Sequence, residues 1–222
     1  ATQTVTNALT LVGASGQQLS LVSYYAGNSA NLTLQAGGVQ NITFVNVTDN
    51  DASGGLTLVA HGTSTDGGGN TNWQFGGVTI TWDGSTSTDW NTASNWDLGF
   101  VPTSADTVII VTAVNQPVLA TNVTVTDLTL QSSTTLTLNG LNLTVSGTFS
   151  NDGNVIVQGL ETMTLTQDTN SGTFTYAGNG DGVIDTRTIR DFGATDYYNL
   201  VINDPNATKD IFQTNGNLTL AN

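Results

Sequence analysis

Apolar and hydroxyl-bearing residues alternate along most of the chain: Leu19-Ser20-Leu21-Val22, Asn31-Leu32-Thr33-Leu34, Val123-Thr124-Val125, Leu128-Thr129-Leu130, Leu136-Thr137-Leu138, Leu143-Thr144-Val145, Val155-Ile156-Val157 and Leu218-Thr219-Leu220. A period of two places successive side chains on opposite faces, so each run predicts a short strand with one apolar face and one threonine-rich face. Gly, Asn, Asp and Ser stand between the runs and suit tight turns, and no segment carries a 3.6-residue amphipathic repeat. The predicted fold class is all-β. From Val123 to Leu165 the strands are short and closely spaced, which suits a right-handed parallel β-helix (β-solenoid) of stacked three-strand coils. Two β-sandwich domains linked by strand exchange are the alternative that the pattern leaves open.

The alternation lapses at Thr65-Asp66-Gly67-Gly68-Gly69-Asn70-Thr71-Asn72-Trp73-Gln74-Phe75, a glycine-rich loop that runs into the first tryptophan. A module boundary is expected between Gly76 and Thr81. Residues 1–80 then form the end of one β-rich module, and residues 81–222 a second module opened by a tryptophan-rich loop. That loop, Thr81 to Trp96, holds three of the four tryptophans.

Composition narrows the function classes. Charged residues make up 9% of the chain, with 3 Lys+Arg against 17 Asp+Glu and a formal net charge of -14. Nothing here could neutralise a phosphate backbone, so nucleic acid is excluded as a partner. No apolar run reaches the length of a transmembrane segment. No signal-peptide pattern opens the sequence either, so the leader of an exported protein would lie outside it. Cysteine is absent and His61 is the single histidine, which removes disulfides, thiolate chemistry and histidine-cluster metal sites. His61 itself reads as a solvated turn residue.

Certain motifs go further. Trp82-Asp83-Gly84, Asp89-Trp90, Asn95-Trp96, Val101-Pro102-Thr103 and Asp106 ahead of Val108-Ile109-Ile110 resemble the opening of modules in large repetitive bacterial surface proteins of the adhesin and filamentous-haemagglutinin-like kind. Thr65 to Trp73 with Phe75 is similar to the way such modules close, and Asp196 to Asn203 resembles a strand within them. The closing motif here precedes the opening one, so the chain reads as the end of one unit joined to most of the next. The resemblance implies a β-solenoid architecture and an extracellular, cell-surface setting, and specifies no activity.

The candidate sites are then few. Trp82, Trp90 and Trp96 are expected to be buried and to cap the β-core at an end or junction; in the alternative reading Trp90 and Trp96, with Asp89, Asn91, Asn95 and Asp97, stack on and bond to a sugar. Asn179-Gly180-Asp181-Gly182-Val183-Ile184-Asp185 resembles the middle of a calcium loop, with Asn179, Asp181 and Asp185 as ligands. The match is incomplete, because Ala177 and Thr188 hold positions where acids would be expected, and an Asn/Gly/Asp turn is the competing reading. No cofactor is required. Arg187, Arg190 and Asp191 read as surface ion pairs, and no acidic pair stands out as catalytic. Asn31, Asn41, Asn46, Asn122, Asn142, Asn206 and Asn217 are sequons that could carry glycans, although threonine-alternating strands generate such triplets readily.

The functional expectation is a non-catalytic structural subunit of an extracellular fibre or adhesin. Thr2 to Val12 and Asn215 to Leu220 carry strand-like alternation at the termini and would contact copies of the chain head to tail, or adjacent modules of a longer one. The alternative is a carbohydrate-binding surface module using Trp90 and Trp96.

Overall fold

The structure is a computed structural model describing residues 2–193 and 195–221. It is all-β: short strands, one 3-10 turn at Ala93–Asn95, and no α-helix among the described residues. The ladders between strands are parallel throughout. Parallel partners cannot be joined by a hairpin, so the chain must travel around before it returns beside itself.

In the first part, strands Thr2–Val5, Ala30–Leu34 and Asn50–Asp51 form one ladder, and Leu19–Val22, Val45–Thr48 and Thr65–Asp66 another. Between them Ala8–Val12 pairs with Val39–Thr43, and Leu58–Ala60 with Trp73–Phe75, the two pairs being linked by a bridge between Thr43 and His61. The chain visits these three positions in the same order each time. Phe44 and Asp49 turn corners as single residues with φ of 52° each.

The second part repeats the scheme. Strands Thr79–Trp82, Thr107–Ile110, Asp127–Leu130 and Phe149–Asn151 form one ladder; Thr135–Thr137, Asn154–Val157, Thr173–Tyr176 and Asn199–Ile202 a second; Val123–Val125, Leu143–Val145 and Met163–Thr164 a third. Thr186–Ile189 pairs with Ile211–Thr214 near the far end. Ile80, Val108, Leu128 and Phe149 fall into register and point inward, while Thr81, Ile109, Thr129 and Ser150 between them do not. Side-chain amides stitch one round to the next: Asn122 accepts from the Asn142 N–H, and Asn142 from the Thr162 N–H, each across 20 residues. The period-two pattern is thus converted into columns of like residues, which remove apolar surface from water on the inside and leave hydroxyls outside.

Buried apolar residues gather in two clusters. The smaller contains Leu9, Leu34, Ile42, Val45, Val47, Ala52, Leu58 and Ala60. The larger begins with Val59, Val78 and Ile80 and continues through the tryptophans to Ile189 and Tyr197. One expectation is corrected: Asn215 to Leu220 is no strand. The strand there is Ile211–Thr214, and Leu220 contributes a single bridge to Tyr197. The Asp196 carboxylate takes the Thr219 N–H, occupying a backbone donor that a ladder would have used.

Candidate functional site

The tryptophan loop sits where the two clusters meet. Trp82, Trp90 and Trp96 are 0%, 1% and 2% exposed. Trp96 stands edge-to-face with both others, at ring-centroid distances of 5.0 Å to Trp82 and 4.8 Å to Trp90. The Trp96 indole N–H donates to the Trp90 carbonyl within the loop at 2.9 Å, and the Trp82 indole N–H to the Asn115 carbonyl beyond it at 2.8 Å. A sugar needs an open aromatic face, and Trp90 and Trp96 present none.

Of the polar residues assigned to the same sugar site, Asn95 is wholly committed within the loop, whereas Asn91 and Asp97 stay exposed. The fully buried Asn95 amide accepts from the Thr86 and Ser87 N–H groups at 2.9 and 2.8 Å and donates to Ser87 Oγ and the Asp89 carbonyl at 3.1 and 2.9 Å. Every hydrogen-bonding position of that side chain is filled. Asp89 accepts from the Asn91 N–H, Asn91 donates to Thr121, and Asp97 takes the Thr81 N–H. Asp106, also fully buried, accepts from the Val78 N–H, the Thr103 N–H and the Thr103 hydroxyl at 2.9, 2.7 and 2.8 Å. The spacing of Thr103 and Asp106 is thereby explained: the acid ties the loop to the residue before strand Thr79–Trp82.

Gln40 joins this loop to the first cluster. Its N–H donates to the Gly99 carbonyl at 2.7 Å, its side-chain amide donates to the Leu98 and Thr57 carbonyls at 2.7 and 2.9 Å, and its carbonyl accepts from the Val59 N–H at 2.9 Å. Gly99 has a φ of 70°, and a Cβ there would run into the Gly38 carbonyl oxygen. Only glycine meets both demands. Sequence reasoning missed Gln40 and Gly99, because Gln40 stands beside a second amide, Asn41, in strand Val39–Thr43 and nothing local sets it apart.

Beside this joint lies a recess of about 300 Å³ lined by Ile42, Val59, Phe100 and Val101 together with Gln40 and His61. His61 is therefore no solvated turn residue: its ring stands 4.8 Å from Phe100, its Nε2 is shielded without a partner, and burial lowers its pKa below the usual histidine value.

The calcium-loop residues are brought near one another but serve other partners. The Asn179 amide donates to Asp181, Asp181 accepts from the Val183 N–H, and the Asp185 carboxylate faces the Arg187 guanidinium at 2.9 Å. No group of three His, Cys, Asp or Glu side chains among the described residues could hold a metal ion. Arg187 corrects another expectation. It is a buried residue rather than a surface one, and it also pairs with Asp210 at 2.9 Å. Hydrogen bonding from the Asp185 N–H, reinforced by Arg187, holds the Asp210 carboxyl below the usual range. Arg190 lies over the Phe192 ring at 5.2 Å, and Asp191 accepts from the Gly193 N–H. Of the sequons, Asn31, Asn41, Asn122 and Asn217 are exposed, whereas Asn46, Asn142 and Asn206 are partly buried.

The fold and this loop define an all-β chain of stacked parallel ladders with an aromatic plug at the joint between two cores. Residues 81–201 match a family described as a domain of unknown function, DUF8693, and the chain belongs to that family. The match opens at the plug and closes within strand Asn199–Ile202, so it spans most of the second cluster. No curated protein and no solved structure matches the sequence.

Proposed function

We propose that the chain is a non-catalytic structural module of an extracellular surface fibre or adhesin, a β-solenoid extended by strand contacts at its two ends. The supporting observation is where unpaired edges and exposed apolar residues coincide. Among the described residues, Thr2–Val5, Ala8–Val12 and Leu19–Val22 have ladder partners on one side only, as do Asn199–Ile202 and Ile211–Thr214. Val12, Leu19 and Val22 are exposed at the first group, and Val201, Ile202 and Ile211 at the second. An open parallel edge carrying apolar side chains is a template for another round of the same structure, supplied by a second copy or by an adjacent module. Because the two ends differ, such contacts are heterologous and extend rather than close.

Sedimentation velocity over a concentration series tests this reading. The protein is expected to form a ladder of oligomers, and the V12K/V22K double variant to remain monomeric with an unchanged fold. A monomer at every concentration overturns it.

A further inference from the structure

We propose that the Tyr24–Tyr25 loop is a binding site for a neutral saccharide. This chain buries Trp82, Trp90 and Trp96, yet it leaves Tyr24 and Tyr25 90% and 68% exposed on one loop. Their centroids are 4.8 Å apart and their planes stand at 90°, so one ring offers a flat face beside the edge of the other. Together with Gln3, Ser23, Asn28, Ser29 and Ala30 they line a recess of about 340 Å³, at the lower end of the range for small-ligand pockets.

The rings are exposed but their backbone is anchored. The Asn28 N–H donates to the Tyr25 carbonyl at 3.0 Å, closing a turn, and the Gly27 N–H donates to the Asp49 carboxylate at 2.8 Å. The Ser23 N–H reaches the Thr48 carbonyl and the Ala30 N–H the Asp49 carbonyl, at 3.3 and 2.9 Å. A loop held at both ends presents its side chains with little further ordering cost on binding.

The lining chemistry selects the ligand. An aromatic face carries negative π density and attracts the polarised C–H groups of a pyranose ring, while amides and hydroxyls can both donate to and accept from its hydroxyl groups. No lining side chain is charged, so nothing there would hold a carboxylate or sulfate, and the net charge of -14 repels anionic chains. A protein partner would call for a broader surface, about 800 Å² on each side. The site goes beyond the structural role proposed above and does not depend on assembly.

Titration calorimetry on the full chain with cello-, laminari-, manno-, malto- and chito-hexaose, and with an oligogalacturonate as the anionic probe, tests the site. At least one neutral hexasaccharide should bind. The Y24A/Y25A variant should bind it at least about tenfold more weakly, through loss of the stacking face and the edge beside it, and Y24F/Y25F within about threefold of the parent. Melting temperatures of all three proteins should agree, since the rings are exposed. The proposal is overturned if no neutral hexasaccharide binds, if the oligogalacturonate is preferred, or if Y24A/Y25A retains affinity. It is likewise overturned if Y24A/Y25A instead abolishes oligomers in sedimentation, which would make the loop a contact between copies. Sedimentation reads assembly and calorimetry reads the sugar, so failure of one proposal is distinguishable from failure of the other.

Discussion

Asn95 satisfies two backbone donors and finds two acceptors of its own while fully buried, and Trp96 packs between two other rings on the same turn. Truncating a buried tryptophan leaves a cavity as well as losing transfer energy, so W96A should lower stability by about 3–5 kcal/mol in denaturant unfolding. N95L should cost at least about 2 kcal/mol, because it orphans the Thr86 and Ser87 N–H groups in an apolar setting. A ΔΔG below about 1 kcal/mol for both would contradict the plug. That the tryptophans are important could be seen from their concentration in sixteen residues or so of a chain poor in aromatics. Their burial was expected from their place between a loop and strand-rich segments, but the groups that pack on them were not legible. A ring's burial is set by what packs on it, and Asn115, the partner of Trp82, lies 33 residues further on. Tyr24 and Tyr25 pose the converse case, since nothing in their local pattern distinguishes an exposed pair from a buried one.

Individual strands were legible because alternation acts over neighbouring residues: Val123-Thr124-Val125 and Leu143-Thr144-Val145 are strands in register. The segments holding one round to another were not, because their partners are a round or more away. Gln40 meets Leu98 across 58 residues, and Arg187 meets Asp210 across 23. Substituting Gly99 by alanine should destabilise the joint between the two clusters, visible as early hydrogen exchange of Gln40 and Val59 amides. The Asp210 carboxyl has a depressed pKa in the folded chain, so it contributes stability above the unfolded value of about 4, and this is lost as pH falls through the lower folded value. D210N should therefore be less stable than the parent at pH 7, and the difference should shrink below about pH 4. A difference independent of pH between 7 and 2 would exclude the titrating pair as its cause.

At the scale of the whole molecule, the all-β class followed from pattern alone, and under the proposed function the parallel order of the ladders is what would make it extensible. Each round leaves one edge for the next, and apolar residues gather at the edges that lack a partner. The same architecture accommodates strong negative charge, because outward positions are hydroxyls and amides and one of the few cations, Arg187, is drawn into pairs with Asp185 and Asp210. The most direct test of an extensible module is electron microscopy of the concentrated protein, with a power spectrum taken along the long axis of any assembly. The expected result is filaments with an axial reflection at about 4.8 Å, the spacing of adjacent strands, continuous through the joints between subunits. Monodisperse compact particles at all concentrations would contradict it.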